Sequence, residues 1–146
     1  MDKPILQYSS NNFFMNHVVT ESPDDVATHI HDCYELFYLI SGDLTYYIEV
    51  QAYKLCPNDL ILTNSRELHR IVFNSKARYE RKYIHFKPEY ISSYQSDEYS
   101  MLSFIENRKL GILIEYQQIM SSKMGLMNFG IKLKRLPWNT PWKAQF

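Results

Sequence analysis

His29 to Gly42 reads His-Ile-His-Asp-Cys-Tyr-Glu-Leu-Phe-Tyr-Leu-Ile-Ser-Gly, with histidines at i and i+2, a glutamate four residues after the second, and a closing glycine. Along a β-strand, residues i and i+2 face the same way, so His29 and His31 present two imidazoles side by side. Glu35 joins them only if the chain turns. An unbroken strand, rising about 3.3 Å per residue, would carry it roughly 13 Å past His31, beyond the reach of one ion with bonds near 2 Å. Asp32, Cys33 and Tyr34 must therefore bend, or Glu35 stands apart from the histidines. Leu36 to Ile40 are apolar on both faces, the pattern of a strand covered on two sides or lying at an interface. Gly42 and Asp43 then turn the chain into Leu44-Thr-Tyr-Tyr-Ile-Glu-Val50, the returning arm of a hairpin.

Working outward, Pro57-Asn58-Asp59 makes a turn that launches Leu60 to Thr63. His69, Ile71 and Phe73 then share one face of a strand, and Tyr83 and His85 share one face of Glu80 to Phe86. Short strands at intervals of this kind suit a sandwich or barrel. If these faces look into a lumen, His69 meets His29, His31 and Glu35 there, and Tyr47, Glu49, Tyr83 and His85 are candidates to line it. The tyrosines at 38, 46, 47 and 83 either stack on a sugar ring or fill the core with their hydroxyls at its edge. Cys33 is either a soft ligand or a small buried hydrophobe.

His29-x-His31-x3-Glu35-x6-Gly42, followed by Pro57 and His69, resembles the two motifs of the cupin superfamily, whose fold is a double-stranded β-helix, a jelly-roll barrel. That resemblance implies a mainly β fold and four metal ligands, His29, His31, Glu35 and His69, suited to one divalent ion such as Zn, Ni, Fe or Mn. The alternative is that the same residues hydrogen-bond an effector with no metal. Pro23 stands where the superfamily usually has glycine, and Asn58 where Pro-Gly-Asp is common; asparagine tolerates the positive φ that the turn needs.

Four blocks in order point to one branch: the first motif with Leu36 and Tyr38, Pro57-x-Asp59-Leu60-x-Leu62, Glu67-Leu-His-Arg70, and Tyr79 to Phe86. Together they resemble the N-terminal sensor and dimerisation domain of AraC-family transcription regulators, from about Asp24 to about Tyr90. The resemblance implies a non-enzymatic, cytoplasmic, homodimeric domain that binds a small-molecule effector, often a sugar, and acts on DNA only through a separate C-terminal domain. The runner-up is a stand-alone metal-dependent cupin enzyme, a small dioxygenase or sugar isomerase, with the ion as Lewis acid.

The rest of the chain bounds these readings. With 12 tyrosines and 8 phenylalanines against 4 glycines in 146 residues, the composition favours strands. Formal net charge is zero, so no global positive field exists to hold nucleic acid. Two cysteines, Cys33 and Cys56, make neither a disulfide framework nor a thiolate zinc site. No stretch of about 18 apolar residues or signal-peptide pattern occurs, which predicts no membrane segment and no export.

Residues 1–90 form the expected barrel, with 1–20 as an N-terminal arm of short edge strands that little anchors. Residues 91–146 form a helical appendage and an irregular basic tail. Asp97 is placed to cap a helix through Asn107, with Leu102, Phe104 and Ile105 as an apolar stripe that either meets a second copy or packs back on the barrel. A second helical segment is expected over 112–124. Through Glu115 the charge balance is −5, and Lys123, Lys132, Lys134, Arg135 and Lys143 follow with no acid, giving +5. A complete regulator of this type would continue into two helix-turn-helix units. The sequence stops first, as expected of a sensor part alone or of a reading frame truncated or shifted after Gly111.

Overall fold

In a computed structural model, which describes residues 2–94, 96, 100 and 102–112, nine antiparallel strands form two facing sheets. The strands are β1 (Asp2–Ser10), β2 (Phe13–Thr20), β3 (Val26–His29), β4 (Tyr34–Ser41), β5 (Leu44–Ile48), β6 (Gln51–Lys54), β7 (Leu60–Thr63), β8 (His69–Phe73) and β9 (Tyr79–Phe86). One sheet runs β1-β2-β9-β4-β7 and the other β3-β8-β5-β6. The architecture is the expected mainly β, cupin double-stranded β-helix. Among the described residues no helix is long and apolar enough to cross a membrane.

Period-two alternation builds the core between the sheets. Phe37 and Leu39 of β4 meet Leu44, Tyr46 and Ile48 of β5, with Tyr53, Leu55, Ile61, Ile71 and Tyr79 completing the cluster. Register fixes which residues face inward. Glu35 pairs with His85 and Phe37 with Tyr83 across β4 and β9, while Ile48 pairs with His69 across β5 and β8. Because paired residues of antiparallel strands share a face, these pairings carry the histidines of both sheets toward one end of the lumen.

The doubly apolar reading of β4 has a simple cause. Its inner face makes the core, and on its outer face Tyr34 is buried beneath Leu102 and Ile105, with Leu62, Phe86 and Ile91 packed around them. Leu102 and Ile105 therefore pack back onto their own barrel. The side chain of Phe104 lies outside the described residues. The helix expected over 97–107 is a single turn, α2 (Ser103–Glu106), preceded by the equally short α1 (Pro88–Ile91) and a 3-10 turn (Ser92–Tyr94). Asp97 and residues 113–124 lie outside the described residues, and Leu102 at the N-cap makes no side-chain cap.

The N-terminal arm needs correction. β2 pairs with β9 along its full length, Phe13 with Phe86 through Thr20 with Tyr79, and is an interior strand of the barrel wall. Only β1 keeps an edge position: it pairs with β2, with a register shift between Pro4 and Leu6, and all nine of its residues are exposed.

Two turns bear out the local chemistry. Asn58 takes φ 75° and its side-chain oxygen accepts from the Tyr38 hydroxyl at 2.8 Å, while the Asp59 carboxylate accepts from the Cys56 N–H at 2.7 Å. Gly42 takes φ 129°, and a Cβ there would lie 3.0 Å from the Tyr79 ring. Gly42→Ala is accordingly expected to lower the unfolding free energy by about 1–3 kcal/mol, the range for a non-glycine residue forced into such backbone. Urea denaturation reads this directly; a midpoint equal to wild type would show that the turn relaxes without cost.

Candidate functional site

β3 ends at His29, whose Nδ1 lies 2.8 Å from the Ala27 carbonyl. A carbonyl only accepts, so Nδ1 carries the proton and Nε2 is left with its lone pair. His69 opens β8 with the same arrangement, Nδ1 3.0 Å from the Glu67 carbonyl, and is buried. Two backbone carbonyls thus set two imidazoles to the tautomer that a metal or a hydrogen-bond donor requires.

Of the two alternatives open in the sequence the chain takes the bend, at Asp32 and Cys33, so that β4 starts at Tyr34 and Glu35 returns beneath the histidines. His31 Nε2 lies 3.2 Å from Glu35 Oε2, within charge-pairing range but off the axis of a hydrogen bond, and this buried nitrogen has no hydrogen-bond partner. His69 Nε2 is likewise buried and unpartnered. His85 Nε2 donates to Glu35 Oε2 at 2.6 Å, and the Tyr46 hydroxyl donates to Oε1 at 2.9 Å. Imidazole centroids stand 4.9 Å apart for His29 and His31, 4.3 Å for His29 and His69, and 4.4 Å for His31 and His85.

Burial opposes ionisation of Glu35, but the contacts with His31 and His85 and the attraction of His69 outweigh it and hold the carboxyl well below the usual carboxylate range. Burial, reinforced by the Glu35 charge and hydrogen bond, pushes Tyr46 well above the usual phenol range, so it remains a donor. Burial lowers His69, which favours the neutral, ligating form.

Two overlapping triads come out of this geometry, His29 with His31 and His69, and His31 with Glu35 and His85, each with donor atoms within 4.8 Å of one another. The cluster is compatible with a divalent metal. The chemistry of the donors fits, since imidazole nitrogens beside a carboxylate are ligands suited to Zn, Ni, Fe or Mn.

His29, His31, Glu35, His69 and His85 are all brought together, and Tyr83 stands next to them, its ring 5.2 Å from that of His85 and its hydroxyl accepting from Asn16 Nδ2 at 3.1 Å. Tyr47 is not in the lumen. It lies on the outer face of β5 beneath the Arg70 guanidinium, 4.3 Å from the ring centroid, because Leu44, Tyr46 and Ile48 take the inner face. Glu49 sits in the β5–β6 turn, where its carboxylate accepts from the Leu68 N–H at 2.8 Å. Tyr46, one of the four tyrosines offered to a sugar or to the core, is the inward one, and its bond to Glu35 was not foreseen; the signal was its shared parity with Leu44 and Ile48. Cys33 is buried outside both triads, with its thiol pushed up by burial and then by the charges of Asp32 and Glu35.

Comparison with known proteins fits this barrel. Residues 20–127 match the model of the AraC-like ligand binding domain, a span that runs past β9. No curated protein matches the chain. Among solved structures, a cupin superfamily protein from Desulfitobacterium hafniense is similar at TM-score 0.52 and 15% identity, over 60% of this chain and 78% of that one. A cupin 2 conserved barrel domain protein from Salinispora arenicola gives 0.50 and 12%, over 64% and 80%. The cupin domain of Schizosaccharomyces pombe Cnp3 gives 0.53 and 8%, over 64% and 65%. At such identities these structures speak for the fold alone. The family match, covering most of the chain, decides membership: the chain belongs to the AraC-like ligand binding domains, on a cupin barrel.

Proposed function

We propose that this chain is the effector-sensing and dimerising domain of a cytoplasmic AraC-like transcription regulator, without enzymatic activity of its own. Its lumen takes a small polar effector, with His29, His31, His69 and Glu35 holding one divalent ion. The observation that carries the reading is a pair of buried nitrogens without a hydrogen bond, His69 Nε2 and His31 Nε2, the latter facing only the Glu35 carboxylate, that converge in a ligand-binding family's barrel. Buried polar atoms without partners are costly, and a bound ion or effector supplies what they lack.

Glu35 is engaged on both oxygens by His85 and Tyr46, so it orients the cluster, and it would be the carboxylate that joins the histidines in holding an ion. The rings of Phe14 and Tyr83, 5.8 Å apart beside His85, offer faces to a sugar or related metabolite. The ion, when bound, supplies a Lewis-acidic centre for the effector's oxygens. An effector shifts the domain between two arrangements only by its differential affinity for them. With no net positive charge, DNA contact belongs to a partner domain.

Calorimetry with Zn²⁺ and Ni²⁺ tests the site. One ion per chain is expected, and His69→Ala should weaken binding by more than the roughly 10–100-fold that loss of an outer-shell partner costs. A folded wild-type protein that takes up neither ion would remove the metal from this reading.

A further inference from the structure

Beyond the barrel the chain comes back to it at one buried point. Glu67 is fully buried, yet both of its carboxylate oxygens are consumed. Oε2 accepts from Arg108 Nη2 and from the Asn64 N–H, the latter at 2.9 Å, and Oε1 accepts from the Gly111 N–H at 2.8 Å. Arg108 also donates to the Leu62 carbonyl at 2.9 Å and, through Nη1, to the Ile112 carbonyl at 2.5 Å, folding residues 108–112 into a tight strap. The Gly111 carbonyl accepts from the Tyr53 hydroxyl at 2.5 Å. A Cβ on Gly111 would stand 3.2 Å from the Ile48 carbonyl, so the strap's backbone lies directly on β5.

The same residue reaches into the histidine cluster. The Glu67 carbonyl holds His69 Nδ1–H, and Ile48, against which the strap lies, pairs with His69. A second connection runs in parallel: the Tyr34 hydroxyl donates to the Glu106 carboxylate, Arg66 Nη2 donates to the Glu106 carbonyl at 2.5 Å, and Tyr34 is the chain neighbour of Glu35. Both anchors of the site, Glu35 and His69, therefore sit within two residues of a group clamped to residues 106–112.

We propose that Glu67 is a positioning residue that couples the histidine cluster to the 108–112 strap, so that filling the cluster tightens the strap and loosening the strap weakens the cluster. The proposal rests on the cluster binding a ligand, as argued above. Its physical basis is that a cation or donor on His69 Nε2 makes Nδ1–H a stronger donor, which draws the Glu67 carbonyl toward it and fixes the carboxylate that grips Arg108 and Gly111. Coupling of this kind is reciprocal in binding free energy.

Zn²⁺ and the full chain provide the test. Saturating Zn²⁺ is expected to slow amide exchange at Gly111 by about fivefold or more, within the usual range of coupling between sites. Tyr53→Phe removes one strap bond outside the cluster while keeping the ring in the core, and is expected to weaken Zn²⁺ binding by a similar factor. Zinc uptake with unchanged Gly111 exchange and undiminished affinity in Tyr53→Phe would overturn the coupling. If calorimetry finds no zinc uptake, the metal reading fails by itself. The coupling is then decided in the metal-free protein by the His69 Nδ1 nitrogen resonance. A shift in Tyr53→Phe supports it, and coincidence with wild type overturns it.

Discussion

Arg108→Met is expected to lower the unfolding free energy by about 3–5 kcal/mol, because it strands a carboxylate in the interior. The Glu67 side chain has 0% exposure and the Arg108 side chain 8%, so water cannot replace the lost cation. The Gly111 and Asn64 N–H groups still point at the carboxylate but carry no net charge to offset it. Against a total stability of about 5–15 kcal/mol for an ordinary domain, such a loss is a large fraction. Urea denaturation should show the midpoint falling with little change in slope. Adding Glu67→Leu to Arg108→Met removes the stranded charge and should recover part of the loss, although two N–H groups then lack an acceptor. A single variant as stable as wild type would mean that the ion pair does not hold the strap down.

Phe37→Ala is the second large effect. Phe37 is 2% exposed, lies two residues along β4 from Glu35, and packs its ring 5.2 Å from that of Tyr46. Removing it deletes buried apolar surface and leaves a cavity that the two facing sheets cannot fully close, at a cost of about 3–5 kcal/mol. Tyr46 is supported from below by this ring, and its hydroxyl holds Glu35. Phe37→Leu, which keeps part of the volume, should fall between wild type and alanine in the same denaturation measurement. Alanine and leucine variants of equal stability would show that the site collapses and leaves no void.

Much of this was legible in the chain. His29, His31, Glu35, Gly42, Pro57 and His69 stand at motif spacing, and spacing left two alternatives, a bend over Asp32 to Tyr34 or a glutamate apart from the histidines, of which the structure contains the bend. What local pattern could not give is pairing across long stretches. Nothing between Phe13 and Thr20 says that this strand will lie against β9, some sixty residues later, so the segment read as a loose arm. His85 came into contact with Glu35 through the same register, which no local run encodes. Glu67 and Arg108, 41 residues apart, look on paper like ordinary surface charges. The choice between Tyr46 and Tyr47 is different in kind. Adjacent tyrosines blur the alternation, and only the flanking Leu44 and Ile48 fix which one points inward.

The reach of Arg108 to β7 also bears on how the folded chain behaves in a crowd of its own copies. An open sheet ends in two strands whose outward N–H and C=O groups can recruit another chain, the route to aggregation. On one side of the five-stranded sheet, β1 carries Pro4, which has no N–H to offer, and an irregularity before Leu6 that spoils a straight template. On the other side, the Leu62 carbonyl of β7 is already taken by the Arg108 guanidinium. The contact that ties residues 108–112 to the barrel thus also occupies an exposed edge, and a chain that lost it would be stickier as well as less stable.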